Sequence, residues 1–226
     1  TSTQEISLGA QSYKQILRGE KIIESGEDAE MVKNIGEKIA VSAQELFPTS
    51  NAKKFRWEFK LVDNQEIINA WALPGGKVAV YTGLLNITQD EDSLAIVIGH
   101  EAAHAIARHG AERMSQSLIL ELGLLGASIS LSDLEPNERD FAIAALGVGA
   151  TLGISLPFSR SHESEADYMG LLIAANAGYN PGAALGVWER MKQEGQQSPE
   201  WLSTHPYPET RITNLQSWMP EAMKLY

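Results

Sequence analysis

The chain contains no cysteine among its 226 residues. This absence excludes disulfide bonds, thiol catalysis and zinc sites built from cysteine. Positive charge is also scarce, because 18 lysines and arginines stand against 29 aspartates and glutamates, for a net charge of -11. That balance argues against a nucleic-acid partner and against binding to an anionic membrane surface. Only five histidines occur, so a place where two of them fall close together is informative.

Long hydrophobic runs are missing as well. A membrane-spanning helix needs about 20 consecutive apolar residues. The nearest approaches are 117–131 and 141–158, which are rich in Gly, Ala and Ser, and Glu121 interrupts the first. We interpret these stretches as a buried helical hairpin, with contact to a membrane surface as the alternative. No basic, apolar signal segment is present at Thr1, so we expect a mature or trimmed start.

Periodicity predicts a mostly helical α+β protein with one small sheet. We expect two helices before residue 50, then a strand at 55–63, where FRWEFKLVD alternates. Pro74-Gly75-Gly76 predicts a turn between two extended pieces, the second of which, KVAVYTG, reads as an edge strand. We further expect a helix at 161–177, another beginning near 182, and a looser C-terminal tail.

A central buried helix is predicted to follow the sheet. TQDE at 88–91 has the pattern of a capping box, in which Thr88 and Glu91 satisfy the first backbone N–H groups. The apolar run LAIVIGHEAAHAIA extends from there, and we expect the helix to end near Arg108, with Gly110 as the terminator. Because this run is apolar on every face, the helix should be buried.

HEAAH, at 100–104, places two imidazoles on that helix. Each residue turns an α-helix by about 100°, so His100 and His104 share a face and can reach one ion. Glu101 is rotated away by one residue and suits the general base of the H-E-x-x-H zinc pattern. The alternative is a pair of core histidines, which would be costly to bury without partners. We therefore predict one zinc ion per chain.

His109 is the nearest candidate for a third protein ligand. It follows His100 by nine residues, so in a continuous helix it faces the opposite side. We therefore predict that His109 is not a ligand.

The run SRSHESEADYMG, at 159–170, offers two glutamates instead. Glu163 shares a face with Asp167 and with small residues suited to packing on another helix. The spacing therefore favours Glu163 as the third zinc ligand, and Glu165 remains the alternative. Asp167 can accept the free N–H of a zinc-bound histidine. His162 is expected to be exposed at the helix start.

HEAAH, then SRSHESEAD about 60 residues later, then THPYPETRI, together resemble the M48 metallopeptidases, a gluzincin family. The resemblance covers residues from about 65 to 215. It implies a zincin-like (minigluzincin) fold with the small sheet over the HExxH helix. Because no linker separates two domains, we expect a single domain over 1–226, with N-terminal helices in 1–50 and a catalytic core at about 55–220. The zinc ligands implied are His100, His104 and Glu163. Glu101 is implied as the general base, and Asp167 as the hydrogen-bond partner of a ligand histidine.

THPYPETR resembles a further motif of the family, which implies that His205 and Arg211 stabilise the tetrahedral oxyanion. His205 could instead bind the zinc and hold a resting enzyme closed, and a simple turn is the alternative without function. The segment 68–85 resembles the family's strand over the active site, where an extended substrate would pair with the edge.

The family's membrane-embedded members carry clear spanning helices, which this chain lacks, so it resembles a soluble branch that is exported or lipid-anchored in bacteria. We expect a zinc endopeptidase that acts on unfolded or envelope proteins, including outer-membrane proteins, in the periplasm or cell envelope. Any membrane association would come through an N-terminal anchor. One alternative is a chaperone or binding module for envelope proteins, with latent proteolysis blocked by His205. The other is a structural zinc site without catalysis.

Overall fold

A computed structural model describes residues 2–113, 158–194, 204–205 and 210–226. The main helices are α1 (Ser2–Ile16), α2 (Glu27–Leu46), α3 (Thr82–Thr88), α4 (Glu91–Ile106), α5 (Arg160–Asn176), α6 (Ala183–Glu194) and α7 (Thr210–Leu225). The strands are β1 (Ile22–Ile23), β2 (Glu58–Val62), β3 (Ala70–Leu73) and β4 (Lys77–Tyr81). This confirms the predicted α+β, mostly helical class. The predicted hairpin between 117 and 156 lies outside the described residues.

The four strands form one mixed sheet in the order β1-β2-β4-β3. β2 runs parallel to β4, whereas β1 pairs with β2 and β3 pairs with β4 in antiparallel fashion. The strand predicted at 55–63 is confirmed as β2. The prediction that KVAVYTG forms an edge strand is wrong. The turn at 74–76 does join β3 to β4, but β2 pairs with the other side of β4, so the two edge strands are β3 and β1.

Helices cover both faces of the sheet. α2 packs closely on one face, where a Cβ atom at Gly36 would lie 2.3 Å from the ring of Phe59. α1 lies on the other face, where the buried Tyr13 hydroxyl donates a hydrogen bond to the Val78 carbonyl at 3.1 Å. The sheet is therefore an internal layer, with α2 and α4 between it and α5.

α4 begins and ends at residues that the sequence did not indicate. Its N-cap is Asp90, whose carboxylate accepts from the Ser93 N–H at 2.7 Å. The predicted capping box is wrong, because Thr88 ends α3 and Gln89 turns the chain with a φ of 64°. The helix stops at Ile106 instead of near Arg108, because Arg108 adopts a left-handed φ of 67°. The chain is helical again at 109–113.

The end of the chain forms a helix, α7, and the rest of the predicted tail, apart from 204–205, lies outside the described residues. In place of a looser tail, α7 packs on α5 and α6. Arg211, Leu215 and Ala222 are its buried residues, and their spacing of four and seven places them on one face. Polar residues separate these positions, so the sequence signal for this face is weak.

One hydrophobic cluster includes residues from α2 through α7 and from the sheet. Within the ranges that the structure describes, no helix combines the length and apolarity needed to cross a membrane.

Candidate metal centre

α4 supplies the first two donors of the centre. All residues from Ser93 to Ile106 are buried, so the polar side chains of this helix face protein. The Nε2 atoms of His100 and His104 lie 3.1 Å apart, as expected for side chains one turn apart on one face. Burial lowers the pKa of His104 well below its usual range, and His100 and His205 lower it further, against the effect of Glu163. The ring is therefore neutral near pH 7, the form that binds metals.

α5 supplies a carboxylate because two glycines let it approach α4. A Cβ atom at Gly170 would lie 2.7 Å from the His100 backbone nitrogen, and one at Gly99 would lie 2.8 Å from the Gly170 oxygen. The small face predicted for 163–174 is thus the face that packs on the HEAAH helix. Ser159 caps α5 and places Glu163 in its first turn. Glu163 is consequently buried against the two histidines, whereas Glu165 points outward.

Four side chains converge at this point. The donor atoms of His100, His104, Glu163 and His205 all lie within 4.8 Å of one another, and all four residues are buried. Glu163 Oε1 is 3.2 Å from His104 Nε2 and 3.0 Å from His205 Nδ1. Its other oxygen, Oε2, is 3.6 Å from His100 Nε2. Imidazole nitrogens with a carboxylate oxygen are the donors that zinc takes in proteins, so the set fits this metal.

The Glu163 carboxylate is held ionised. Burial alone would raise its pKa, but His205, His104 and His100 outweigh that effect and bring the pKa far below its usual range. A buried anion among imidazoles is an arrangement that a cation stabilises.

Asp167 and Arg211 lie behind the donors. Asp167 Oδ1 is 3.0 Å from His100 Nδ1, the ring nitrogen that faces away from the cluster. Arg211 donates to both oxygens of Asp167 at 2.6 Å, and its Nη1 is 2.9 Å from Glu163 Oε2. Its guanidinium lies over the ring of Trp188, 4.5 Å from the centroid. Each guanidinium nitrogen thus has a carboxylate partner.

Glu101 lies beside the donor group and outside it. Its Oε1 is 3.4 Å from His205 Nε2, and the side chain is 2% exposed. Arg113, which the sequence did not single out, stacks on Phe158 at 3.9 Å. Burial lowers the pKa of Arg113 to about 10, while Glu101 and Glu163 act to raise it. A cation therefore remains near the two glutamates at neutral pH.

His109 does not lie where a continuous helix would put it. Because α4 stops at Ile106 and Arg108 adopts a left-handed φ, the side chain of His109 is buried against His104. Its Nδ1 is 2.9 Å from His104 Nδ1, and its Nε2 is 3.1 Å from Glu165 Oε2. His109 is not among the four converging donors.

His162 is less exposed than predicted. Its side chain is 12% exposed, and its Nε2 lies 3.2 Å from Glu112 Oε2. Its ring stacks on that of His109 with centroids 4.4 Å apart.

Two aromatic residues that the sequence did not indicate also line the centre. Phe158 stacks on His104 at 3.9 Å between centroids, and Trp188 contacts His100 edge-on at 5.6 Å. No local pattern marks them, because their roles depend on how distant segments pack.

Comparison with known proteins places this centre in context. Residues 28–219 match the sequence profile of peptidase family M48. The chain is 38% identical over 180 residues to the mitochondrial metalloendopeptidase OMA1 of Schizosaccharomyces pombe, which covers 78% of this chain and 51% of that protein. It is 33% identical over 236 residues to the OMA1 of Saccharomyces cerevisiae, and the match covers 98% of this chain and 66% of that protein. A putative beta-barrel assembly-enhancing protease of Vibrio cholerae is 30% identical over 220 residues, and the match covers 95% of this chain and 44% of that protein. The chain thus spans between 44% and 66% of the length of these relatives.

Proposed function

The chain belongs to peptidase family M48, and on that premise we propose that it is a zinc-dependent endopeptidase with one catalytic domain. The observation that carries the proposal is the buried convergence of His100, His104 and Glu163, with Glu101 beside them. We assign the first three as zinc ligands. Relatives named metalloendopeptidases support the reaction class.

Glu101 is assigned as the general base. When bound, zinc would polarise the scissile carbonyl and lower the pKa of a water molecule. Glu101 accepts the proton that the attacking water loses and passes it to the leaving amine, so each cycle returns the side chain to its starting state. Its position on α4, one residue from a ligand, keeps it close to the reacting atoms without occupying the donor group.

His205 and Arg211 receive different roles. His205 Nε2 is 3.4 Å from Glu101 Oε1, so the imidazole lies beside the base, where charge develops on the carbonyl oxygen. We assign oxyanion stabilisation to His205. Arg211 donates to Asp167 and Glu163, so we assign it the positioning of these two carboxylates instead of the oxyanion contact that the resemblance implied.

The substrate is proposed to be an extended or unfolded polypeptide. β3 is one of the two edge strands, and it contacts α4, so a peptide that pairs with β3 would lie along the helix that carries Glu101. Envelope proteins are the substrate class we propose, because relatives from two bacteria are named beta-barrel assembly-enhancing proteases. On the same support we propose a cell-envelope location.

The Glu101→Gln substitution tests the catalytic proposal. We expect about one zinc per chain in both proteins, and a loss of hydrolysis of unfolded casein of about 100- to 10,000-fold, the range for a general base. Glu221→Gln, an exposed change on α7, is the matched control and should cleave normally. If zinc-loaded wild type and Glu101→Gln cleave equally, the assignment is wrong. If zinc-loaded wild type cleaves nothing, the site is structural.

A second candidate function is a binding or chaperone module with latent proteolysis. The observation that favours it is the position of His205 Nδ1 within the group of four donors, where it can act as a further ligand. His205→Ala separates the two readings. Hydrolysis should fall if His205 stabilises the oxyanion and rise if His205 blocks the centre. Retention of the biological role in Glu101→Gln would favour binding over hydrolysis.

A further inference from the structure

The Nδ1 atom of His104 needs a partner of its own. The Nε2 atom faces Glu163 and His100, so a metal held by this group uses Nε2. A neutral imidazole that binds a metal through Nε2 carries its proton on Nδ1. Metal-binding histidines almost always donate this second N–H to a neighbour, which fixes the ring's orientation and raises its basicity.

Among the residues that the structure describes, His109 lies at hydrogen-bond distance from this Nδ1 atom. The two Nδ1 atoms are 2.9 Å apart, a hydrogen-bond distance at which one nitrogen donates and the other accepts. Because His104 must donate, His109 Nδ1 accepts, and the proton of the neutral His109 ring is then on Nε2. That Nε2 lies 3.1 Å from Glu165 Oε2, which accepts it. One proton arrangement therefore satisfies both contacts at once.

From this geometry we infer that His109 is a positioning residue for the metal ligand His104, and that Glu165 fixes its tautomer. The inference rests on the proposed zinc site. It gives a role to two residues that are not ligands themselves. His109 uses the side of His104 opposite to the donor group, so it orients a ligand and leaves the coordination positions free.

The two ligand histidines of α4 are therefore supported in different ways. His100 is backed by Asp167 and Arg211, which are both buried. His104 is backed by His109, which is buried, and then by Glu165, whose side chain is 57% exposed. The second chain of hydrogen bonds thus connects the centre with the solvent-facing side of α5.

Zinc affinity, measured by competition with a chromogenic chelator, tests the inference. His109→Phe keeps a ring of similar size but removes the acceptor, and we expect an affinity loss of about 10- to 100-fold. His109→Asn restores an acceptor oxygen near the Nδ1 position, so its affinity should return towards that of wild type. Glu165→Gln keeps an acceptor without charge and should fall between wild type and His109→Phe.

His162→Phe is the matched control. His162 stacks on His109 but its ring nitrogen contacts Glu112, so this variant should bind zinc as wild type does. The visible absorption bands of the cobalt-substituted proteins give a second measurement, which should change in His109→Phe and not in His162→Phe.

Three outcomes would overturn the inference. One is an equal zinc affinity in wild type and His109→Phe, and another is an equal loss in His109→Asn and His109→Phe, which would show that ring packing and not hydrogen bonding matters. The third is a wild type that binds no zinc at all, and that result alone also removes the proposed function.

Discussion

Gly170 sets the distance between the two helices that carry the metal donors, and Gly170→Ala tests this directly. A Cβ atom there would lie 2.7 Å from the His100 nitrogen and 2.8 Å from its Cα atom. Ordinary contact begins near 3.4 Å, so α4 and α5 must separate by about 0.7 Å. The obstructing atoms are backbone atoms of a buried helix and cannot rotate away. Overpacking of this kind costs about 1–3 kcal/mol of unfolding free energy.

The same displacement should weaken metal binding. Glu163 lies two turns before Gly170 on α5, so it moves with the helix away from His100 and His104. Metal–ligand distances tolerate deviations of about 0.2 Å, which is smaller than the expected separation. We therefore expect zinc affinity to fall by about 10- to 100-fold, as it does when support of a ligand is lost.

Two measurements on the purified protein check this prediction. Denaturant unfolding of the metal-free protein gives the cost of packing, and chelator competition gives the affinity for zinc. Gly19→Ala is the matched control, because a Cβ atom at Gly19 would meet nothing within 4 Å. If Gly170→Ala unfolds within about 0.5 kcal/mol of wild type, as a surface change would, and binds zinc equally well, the close approach does not position Glu163.

Three further perturbations have expected outcomes. Arg211→Met leaves Asp167 and Glu163 buried without their cation, so unfolding free energy should fall by about 3–5 kcal/mol; an unchanged denaturation midpoint would contradict this. Tyr13 has a pKa raised by burial, with a smaller effect of Glu58, so the folded state disfavours its ionised form. The contribution of Tyr13 to the free energy of unfolding should be complete below the unfolded-state pKa of about 10. It should be lost as the pH rises through the higher pKa of the folded state. Tyr13→Phe should lose about 1 kcal/mol at pH 7 and show a shallower alkaline decline, measured by thermal unfolding across pH. Removal of zinc by a chelator should lower the melting temperature, since a ligand at 1,000 times its Kd stabilises by about 4 kcal/mol, and added zinc should restore it.

The helices of the centre were predictable because their signals are local. HEAAH lies in a run that is apolar on all sides, and Glu163 and Asp167 share a face with Ala166 and Gly170, so both packing faces follow from helical phase. The same reasoning misplaced the side chain of His109, because it assumed that the helix continued, although His109 is not among the four converging donors. Neither glycine nor proline marks the end at Ile106, and the left-handed turn is made by Arg108, a residue type with no preference for it.

Other errors arose where partners are distant in sequence. Thr88 and Asp90 both suit an N-cap, but Thr88 belongs to the end of α3, and Asp90 caps α4. The sequence around β4 suggests an edge strand because no turn signal indicates its second partner. That partner is β2, which pairs with β4 in parallel across a long connection. The two carboxylate partners of Arg211 lie 44 and 48 residues earlier in the sequence, so no local pattern indicates the positioning role that we propose for it.

The centre is assembled from three segments that are far apart along the chain, and this has a consequence for its biosynthesis. His205 follows His100 by 105 residues. At ribosomal rates of about 5–20 residues per second, the last of these side chains is added roughly 5–20 s after the first. During this interval the nascent chain contains HEAAH but not His205, and it also lacks Arg211, which contacts Glu163 and Asp167. The group of four converging donors therefore cannot be completed until residue 205 has been translated.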